Sequence, residues 1–221
     1  MGAMIEVPLP SGGTAPAWLA GPKSGPAVVV IQEWWGLNDQ IKGVADRVAK
    51  AGFRALVPDL FRGKLAGDAA EASHLMDSLD WAAAVRGDIA GAVALMGKKD
   101  QQVGVMGFCM GGALTILSGI QVPGLAAAVC FYGIPPASVA DAAEIRVPFQ
   151  GHFATKDGWC TPEAVDALKS RLDAGEVDYE VYSYDADHAF MNEARPEVHN
   201  AAAAKTAWKR AMAFLNEHLS E

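Results

Sequence analysis

The chain of 221 residues is long enough for one well-buried core, and its 51% hydrophobic and 20% charged residues are ordinary for a globular protein. A net charge of −8 argues against a nucleic-acid partner, and no run approaches the ~18 apolar residues of a membrane span. Three cysteines cannot form a closed set of disulfides, and none is spaced as a zinc ligand. We therefore expect free thiols, no metal and a cytoplasmic location.

Strands and helices alternate through the first half of the chain. Two short segments, Met4–Val7 and Ala17–Ala20, are expected to form an antiparallel edge hairpin. The aliphatic run Ala27–Ile31 has the length of a strand, and Leu37–Ala51 then carries apolar residues at the three-and-four spacing of a helix. The elements predicted next are a strand at Arg54–Pro58, a short helix opened by a capping box at Asp68–Glu71, and a longer helix from Trp81 to Met96 with Lys98-Lys99 as its solvated end.

The second half continues the alternation. Thr161-Pro162 is typical of a helix start, which predicts a helix over Glu163–Ala174, and a last helix is expected from about Asn200 to Leu219. Without an internal repeat or a linker, we expect a single domain over residues 1–221. The pattern predicts an α/β fold with a mostly parallel sheet of about seven or eight strands and helices on both faces. The further strands are predicted at Gln102–Met106, Leu125–Tyr132, Arg146–His152 and Asp178–Tyr184.

One strand leads into a helix through Gly107-Phe108-Cys109-Met110-Gly111. A sharp turn from strand to helix strains its central residue and requires small residues two positions away, which Gly107 and Gly111 supply. Cys109 would then project over a helix N-terminus, whose N–H groups favour a thiolate and an oxyanion. The pattern also arises by chance, and most cysteines among apolar residues are inert. The strand before Cys109 and the helix after it favour a nucleophile.

A cysteine nucleophile needs a base, and the base needs a group that orients it. After an elbow of this kind the acid precedes the histidine in the chain. Asp157 and His188 both follow predicted strands, at the sheet edge where active sites of open α/β sheets form. His152, at a strand end, is the rival to His188. Asp185 and Asp187 are too near His188 in sequence to reach its far nitrogen, so we interpret them as solvated acids.

Glu33 directly follows the apolar strand Ala27–Ile31 and Gln32. A carboxylate at such a position is expected to be partly buried, and buried carboxylates usually have a partner or a task. The alternative is a strand-end glutamate that caps the following helix.

Taken together, the motifs resemble the dienelactone hydrolase family. The resemblance spans nearly the whole chain in order, and cysteine in place of serine at the elbow is its most specific element. It implies a small, single-domain α/β-hydrolase that needs no cofactor and opens lactones such as carboxymethylenebutenolide (dienelactone). The motifs that carry it are Gln32–Gly36, Pro58–Gly63, Gly107–Gly112, the loop around Asp157, and His188-Ala189-Phe190.

By matching motif, the resemblance makes Cys109 the nucleophile, His188 the general base and acid, and Asp157 its orienting residue. Glu33 matches the glutamate that, in the family, takes the proton of a neutral resting thiol when substrate binds. The resulting reaction is acyl transfer through a thioester, for which lactones and esters that release a stabilised enolate are favoured.

The resemblance also assigns the oxyanion hole to the backbone N–H groups of Trp34 and Met110. Family members that act on dienelactone hold its carboxylate with arginines, one of them shortly after the catalytic histidine. Here that neighbourhood holds no arginine before Arg195, and Arg86 is a further candidate upstream. The candidates for substrate binding are Trp35, Phe61, Arg62, Phe190 and Asn192.

Two other functions stay open. One is a broad esterase or thioesterase for small acyl groups, and the other is a non-catalytic binding protein in which Cys109 is a relic or a redox sensor. In each enzymatic case the partner is a small-molecule ester or lactone, bound by a monomer or a small homo-oligomer. The sequence leaves open whether residues 59–79 form a lid.

Overall fold

Eight strands form one sheet in the computed structural model, which describes residues 2–97 and 101–219. Their order across the sheet is β1-β2-β4-β3-β5-β6-β7-β8. The strands from β3 to β8 run parallel to one another, and β2 is antiparallel to both β1 and β4. In chain order the strands are Ala3–Pro8 (β1), Thr14–Ala20 (β2), Ala27–Ile31 (β3), Arg54–Pro58 (β4), Val103–Phe108 (β5), Leu125–Phe131 (β6), Phe149–Ala154 (β7) and Tyr179–Tyr184 (β8).

The helices lie between the strands, as the alternation predicts. A π-helical turn, Ala84–Ile89, joins α3 to α4, and Ala142–Glu144 forms a short 3₁₀ helix. Lys98 and Lys99, expected at the end of this helical stretch, lie outside the described residues. The α-helices are Asp39–Lys50 (α1), Ala69–Asp77 (α2), Trp81–Ala83 (α3), Ala90–Met96 (α4), Met110–Gln121 (α5), Pro162–Ala174 (α6) and Ala201–Leu219 (α7).

The core lies on both faces of the sheet, because successive strand residues point to opposite sides. In β3, Ala27, Val29 and Ile31 pack on one face and Val28 and Val30 on the other. Helices α4, α5 and α6 with the π-helical turn cover the first face, and α1 and α7 cover the second. This arrangement confirms the predicted mostly parallel sheet with helices on both faces.

One strand is displaced from its predicted position. The strand expected at Arg146–His152 begins at Phe149 and ends at Ala154. Pro148 has no N–H to give to a sheet ladder, so regular pairing starts only after it. At the other end Ala154 still pairs with Tyr184 of β8, which extends the strand beyond its predicted limit.

Two further boundaries differ for reasons of long-range pairing and helix geometry. Strand β5 continues to Phe108 rather than Met106, because its last residue pairs with Phe131 of β6. The apolar stripe predicted from Trp81 to Met96 is interrupted by the π-helical turn, whose wider turn departs from the 3.6-residue period. None of the described helices has the length and hydropathy of a membrane span.

Candidate active site

The turn between β5 and α5 consists of Cys109 alone. Its backbone has φ 55° and ψ −117°, a strained conformation for a residue other than glycine. The Cys109 N–H donates to the carbonyl oxygen of Phe131 at 3.0 Å, and the Cys109 carbonyl accepts from Gly112 and Ala113 of α5. The elbow that the sequence predicts is therefore formed, at the carboxyl ends of the central strands.

Glycine is required around this turn because backbone passes where a Cβ would be. A Cβ on Gly107 would collide with the carbonyl oxygen of Gly111. A Cβ on Gly111 would lie 2.5 Å from the carbonyl oxygen of Ile31. Gly133, which follows β6, is equally constrained, since its Cβ would meet the carbonyl oxygen of Cys109. Three strands thus converge on the elbow.

Asp157 and His188 are joined by a hydrogen bond, as the order of the residues along the chain predicts. His188 Nδ1 lies 2.7 Å from Asp157 Oδ2, and the other carboxylate oxygen accepts from the N–H groups of Trp159 at 2.7 Å and Cys160 at 3.0 Å. Burial alone would raise the pKa of Asp157, but His188 and the two N–H donors outweigh it and lower that pKa. The carboxyl is therefore ionised at neutral pH and accepts the proton on Nδ1, which leaves Nε2 free to act as a base.

Cys109 and His188 open into one cavity of about 270 Å³. Within the described chain, the Cys109 sulfur makes no hydrogen bond to His188; the two residues share the cavity wall instead. The imidazole packs edge-to-face against the Tyr132 ring, with centroids 5.1 Å apart, and lies 5.8 Å from the ring of Trp159. The cavity is lined by Met76, Trp81, Cys109, Met110, Ala113, Tyr132, Gly133, Ile134, Pro136, Trp159, Cys160 and His188.

Glu33 is bonded to Tyr132, which lines this cavity, and is only 4% exposed, as its position after β3 predicts. Its two carboxylate oxygens accept from the Tyr132 hydroxyl at 3.1 Å and from the Asn192 amide at 2.6 Å. Burial raises the pKa of Glu33, and these two hydrogen bonds, followed by the charges of His188 and Arg195, oppose that rise. The group is thus a carboxyl with a raised proton affinity, held by two buried donors.

The Cys109 thiol is neutral in this environment. Burial is the largest cause that raises its pKa, and the negative charge of Glu33 is the second. The backbone N–H of Met110 acts in the opposite direction without reversing the rise. A buried thiol beside a carboxylate needs a proton acceptor before it can become a nucleophile.

The alternatives to His188 as the base and to Asp157 as the acid either bond to other residues or are exposed to solvent. His152 is fully buried, donates from Nε2 to Gln150 Oε1 at 2.8 Å, and accepts at Nδ1 from the Tyr184 hydroxyl at 2.9 Å. Burial lowers its pKa to about 3. Asp185 and Asp187 are exposed, and Asp185 pairs with Lys156.

The residues expected to bind substrate lie outside the cavity that holds Cys109. The Arg62 guanidinium bonds to Asp88 at 2.6 Å and to the carbonyl oxygen of Asp59 at 2.7 Å. Phe61 is part of the core, and Phe190 packs against Tyr132.

The other two substrate-binding candidates, Asn192 and Trp35, lie near the site but do not line the cavity. Asn192 bonds to Glu33 rather than facing the cavity. The ring of Trp35 lies under the Arg195 guanidinium and against Trp34, and Trp34 in turn contacts Trp159 edge-to-face at 5.5 Å. Tyr132 and Trp159 line the cavity without having been predicted from the sequence. Tyr132 ends a predicted strand at the correct edge of the sheet, which was the available signal.

All three cysteines are buried and free, and the described residues contain no cluster of three or more His, Cys, Asp or Glu side chains arranged to hold a metal. The strand order, the elbow and the Asp–His pair define an α/β-hydrolase.

Comparison with known proteins narrows that class. Residues 15–219 match the dienelactone hydrolase family, and the chain belongs to this family. It is 35% identical to Protein usf of Aquifex pyrophilus, with 100% of each chain covered. It is 32% identical to a protein of Aquifex aeolicus (strain VF5) provisionally named carboxymethylenebutenolidase, covering 99% of this chain and 100% of that one.

The solved structures give the same assignment. A crystal structure from Klebsiella pneumoniae subsp. pneumoniae, provisionally named dienelactone hydrolase, is 25% identical with a TM-score of 0.85 and covers 98% of this chain and 99% of its own. The family and these relatives identify the chain as a carboxylic ester hydrolase.

Proposed function

We propose that this enzyme hydrolyses lactones and small activated esters through a thioester on Cys109, with His188 as the general base and Asp157 as its orienting residue. The observation that carries the proposal is the shared cavity: an elbow cysteine and an Asp-bound histidine open into the same space. The whole chain, 1–221, would form one catalytic domain. Free thiols suit a reducing compartment, so the cytoplasm is the proposed location.

The first half of the cycle begins with the neutral thiol. Glu33 accepts the Cys109 proton, because its own pKa is raised by burial and its negative charge acts on the thiol more strongly than that of Asp157. The thiolate attacks the carbonyl carbon, and the backbone N–H groups of Met110 and Trp34 bind the oxyanion. The carbon–oxygen bond of the ester then breaks, which leaves a thioester and an enolate or alkoxide.

The second half restores the enzyme. His188 Nε2 takes a proton from water, and the hydroxide formed attacks the thioester carbonyl. The carbon–sulfur bond breaks, releasing the carboxylic acid and the Cys109 thiolate, which recovers its proton from Glu33. His188 then gives its proton to the enolate or alkoxide released in the first half, so that one ester and one water give one acid and one alcohol or enol. A thiolate leaves more readily than an alkoxide, so substrates that release a stabilised enolate are favoured over unactivated esters.

The test is turnover of p-nitrophenyl acetate by Cys109→Ala and Asp157→Asn. Cys109→Ala is expected to lose activity by at least about 10³-fold, and Asp157→Asn to lower kcat by about 10³–10⁴-fold through the wrong imidazole tautomer. Asp187→Asn is the matched control, since this exposed acid is adjacent to His188 in sequence but is not bonded to it. Turnover that persists in Cys109→Ala refutes the nucleophile assignment. Mass spectrometry of quenched enzyme should show one acyl group, carried on Cys109.

A further inference from the structure

A second cleft adjoins the cavity that contains Cys109. It has a volume of about 400 Å³, and three residues, Ile134, Pro136 and Trp159, line both spaces. Trp159 is 61% exposed and forms the wall where the cleft meets the cavity, next to the imidazole. The remaining residues of the cleft are Ile116, Pro135, Ala137, Ala140, Ala142, Ala164, Ala167, Leu168 and Arg171.

The lining of the cleft is apolar apart from one charge. Arg171 is the single charged residue among those that line it, and its Nε donates to Asp141 at 2.8 Å, with a second contact between the same two side chains. This pairing leaves Arg171 committed to a neighbouring carboxylate. Alanine side chains from α6 and from the segment after β6 form much of the remaining surface, so small apolar groups dominate it.

The residues that line the catalytic cavity include no lysine or arginine. The arginines considered from the sequence have partners outside it: Arg62 bonds to Asp88, Arg86 to Gln121, and Arg195 to Glu197. A carboxylate on the substrate would therefore enter an apolar site without a cation to compensate its desolvation.

We propose that this enzyme prefers neutral esters with an unbranched apolar arm, which passes Trp159 and lies in the cleft bounded by α6. The inference rests on the proposed function, because the ester carbonyl must sit at Cys109 for the arm to reach the cleft. The cavity and the cleft together form one substrate channel, with the reacting bond at its inner end and the apolar arm at its outer end.

The expected effect follows from apolar burial. Each methylene that moves from water into the cleft raises kcat/KM by about fourfold until the cleft is full. A carboxylate at the end of the arm removes that gain, because the charge cannot be paired there.

The experiment measures kcat/KM for p-nitrophenyl acetate, butyrate, hexanoate and octanoate, and for acetate esters of the corresponding alcohols. A rise with chain length in either series is expected, and the series in which it occurs shows whether the arm belongs to the acyl or the alcohol part. The monoester of a dicarboxylic acid of matched length is expected to react more slowly than the neutral ester. Values that stay flat in both series, or faster turnover of the acid, would overturn the proposal.

Ala167→Phe tests the place of the arm, and Ala174→Phe is its matched control. Both positions are exposed on α6, but only Ala167 lines the cleft. Ala167→Phe is expected to lower the octanoate-to-acetate ratio of kcat/KM by about tenfold, whereas Ala174→Phe keeps the wild-type ratio. An unchanged ratio in Ala167→Phe, with an unchanged melting temperature, excludes the cleft as the binding site.

The two proposals fail separately. If the wild-type enzyme shows no chain-length preference but its activity still depends on Cys109, the cleft is refuted and the nucleophile assignment stands. Activity that survives in Cys109→Ala refutes the nucleophile, whatever the chain-length profile.

Discussion

The hydroxyl of Tyr132 is one of two buried donors to Glu33, and its removal in Tyr132→Phe gives a sharp test of the buried carboxyl. The bond measures 3.1 Å, and the aromatic ring, which packs against His188 and Phe190, is retained in the variant. Only one hydrogen bond to Glu33 is therefore lost, and the Asn192 amide remains.

The magnitude follows from the strength of a buried hydrogen bond to a charged group, about 1.5–3 kcal/mol. Because this bond favours the ionised carboxyl, its loss raises the pKa of Glu33 further. The native pKa of Glu33 is already above its unfolded value, so the native state holds the proton more tightly, and stability falls as pH rises between the two values. In Tyr132→Phe, the pH range over which stability falls extends to higher pH.

The assay is urea unfolding of both proteins at about pH 5 and about pH 8. Tyr132→Phe should be destabilised at both values, and by up to about 3 kcal/mol more at the higher pH, because the lost hydrogen bond favours the ionised form of Glu33. Tyr179→Phe is the matched control, since its hydroxyl donates to Asp173 at 2.7 Å on the surface, where such bonds contribute little. An equal loss of stability at both pH values in Tyr132→Phe would refute the account of Glu33.

Two further perturbations test the elbow and the rejected histidine. Gly107→Ala should lower the free energy of unfolding by about 3 kcal/mol or more, because the added Cβ meets the backbone of Gly111. The control, Gly158→Ala, has open space around its Cβ and should be near neutral in thermal denaturation. A small effect in Gly107→Ala would contradict the close approach of the two glycines. His152 has a native pKa of about 3 against about 6.5 when unfolded, so stability is lost as pH falls below the unfolded value, by about 2–3 kcal/mol between pH ~7 and ~4.5. His152→Gln should flatten that part of the urea-derived stability profile, and an unaltered slope would show that His152 is not the group responsible.

The local pattern of the chain determined most of the architecture. Alternating aliphatic strands and amphipathic helices predicted the parallel sheet, and the glycines beside Cys109 predicted the elbow, because a tight turn restricts which residues can stand next to it. The order of Asp157 and His188 predicted their pairing for a similar reason, since carboxyl ends of parallel strands meet at one edge. These are properties that neighbouring residues and chain direction impose by themselves.

Which side chains face the reacting atom was decided only by the tertiary structure. Asn192 was a candidate for substrate but bonds to Glu33, and Arg62 bonds to Asp88, since distant segments supply their partners. Tyr132 and Trp159 line the cavity although neither belongs to a catalytic motif. Contacts between residues far apart in sequence depend on how helices and loops pack over the sheet, and no periodicity or spacing along the chain encodes that packing.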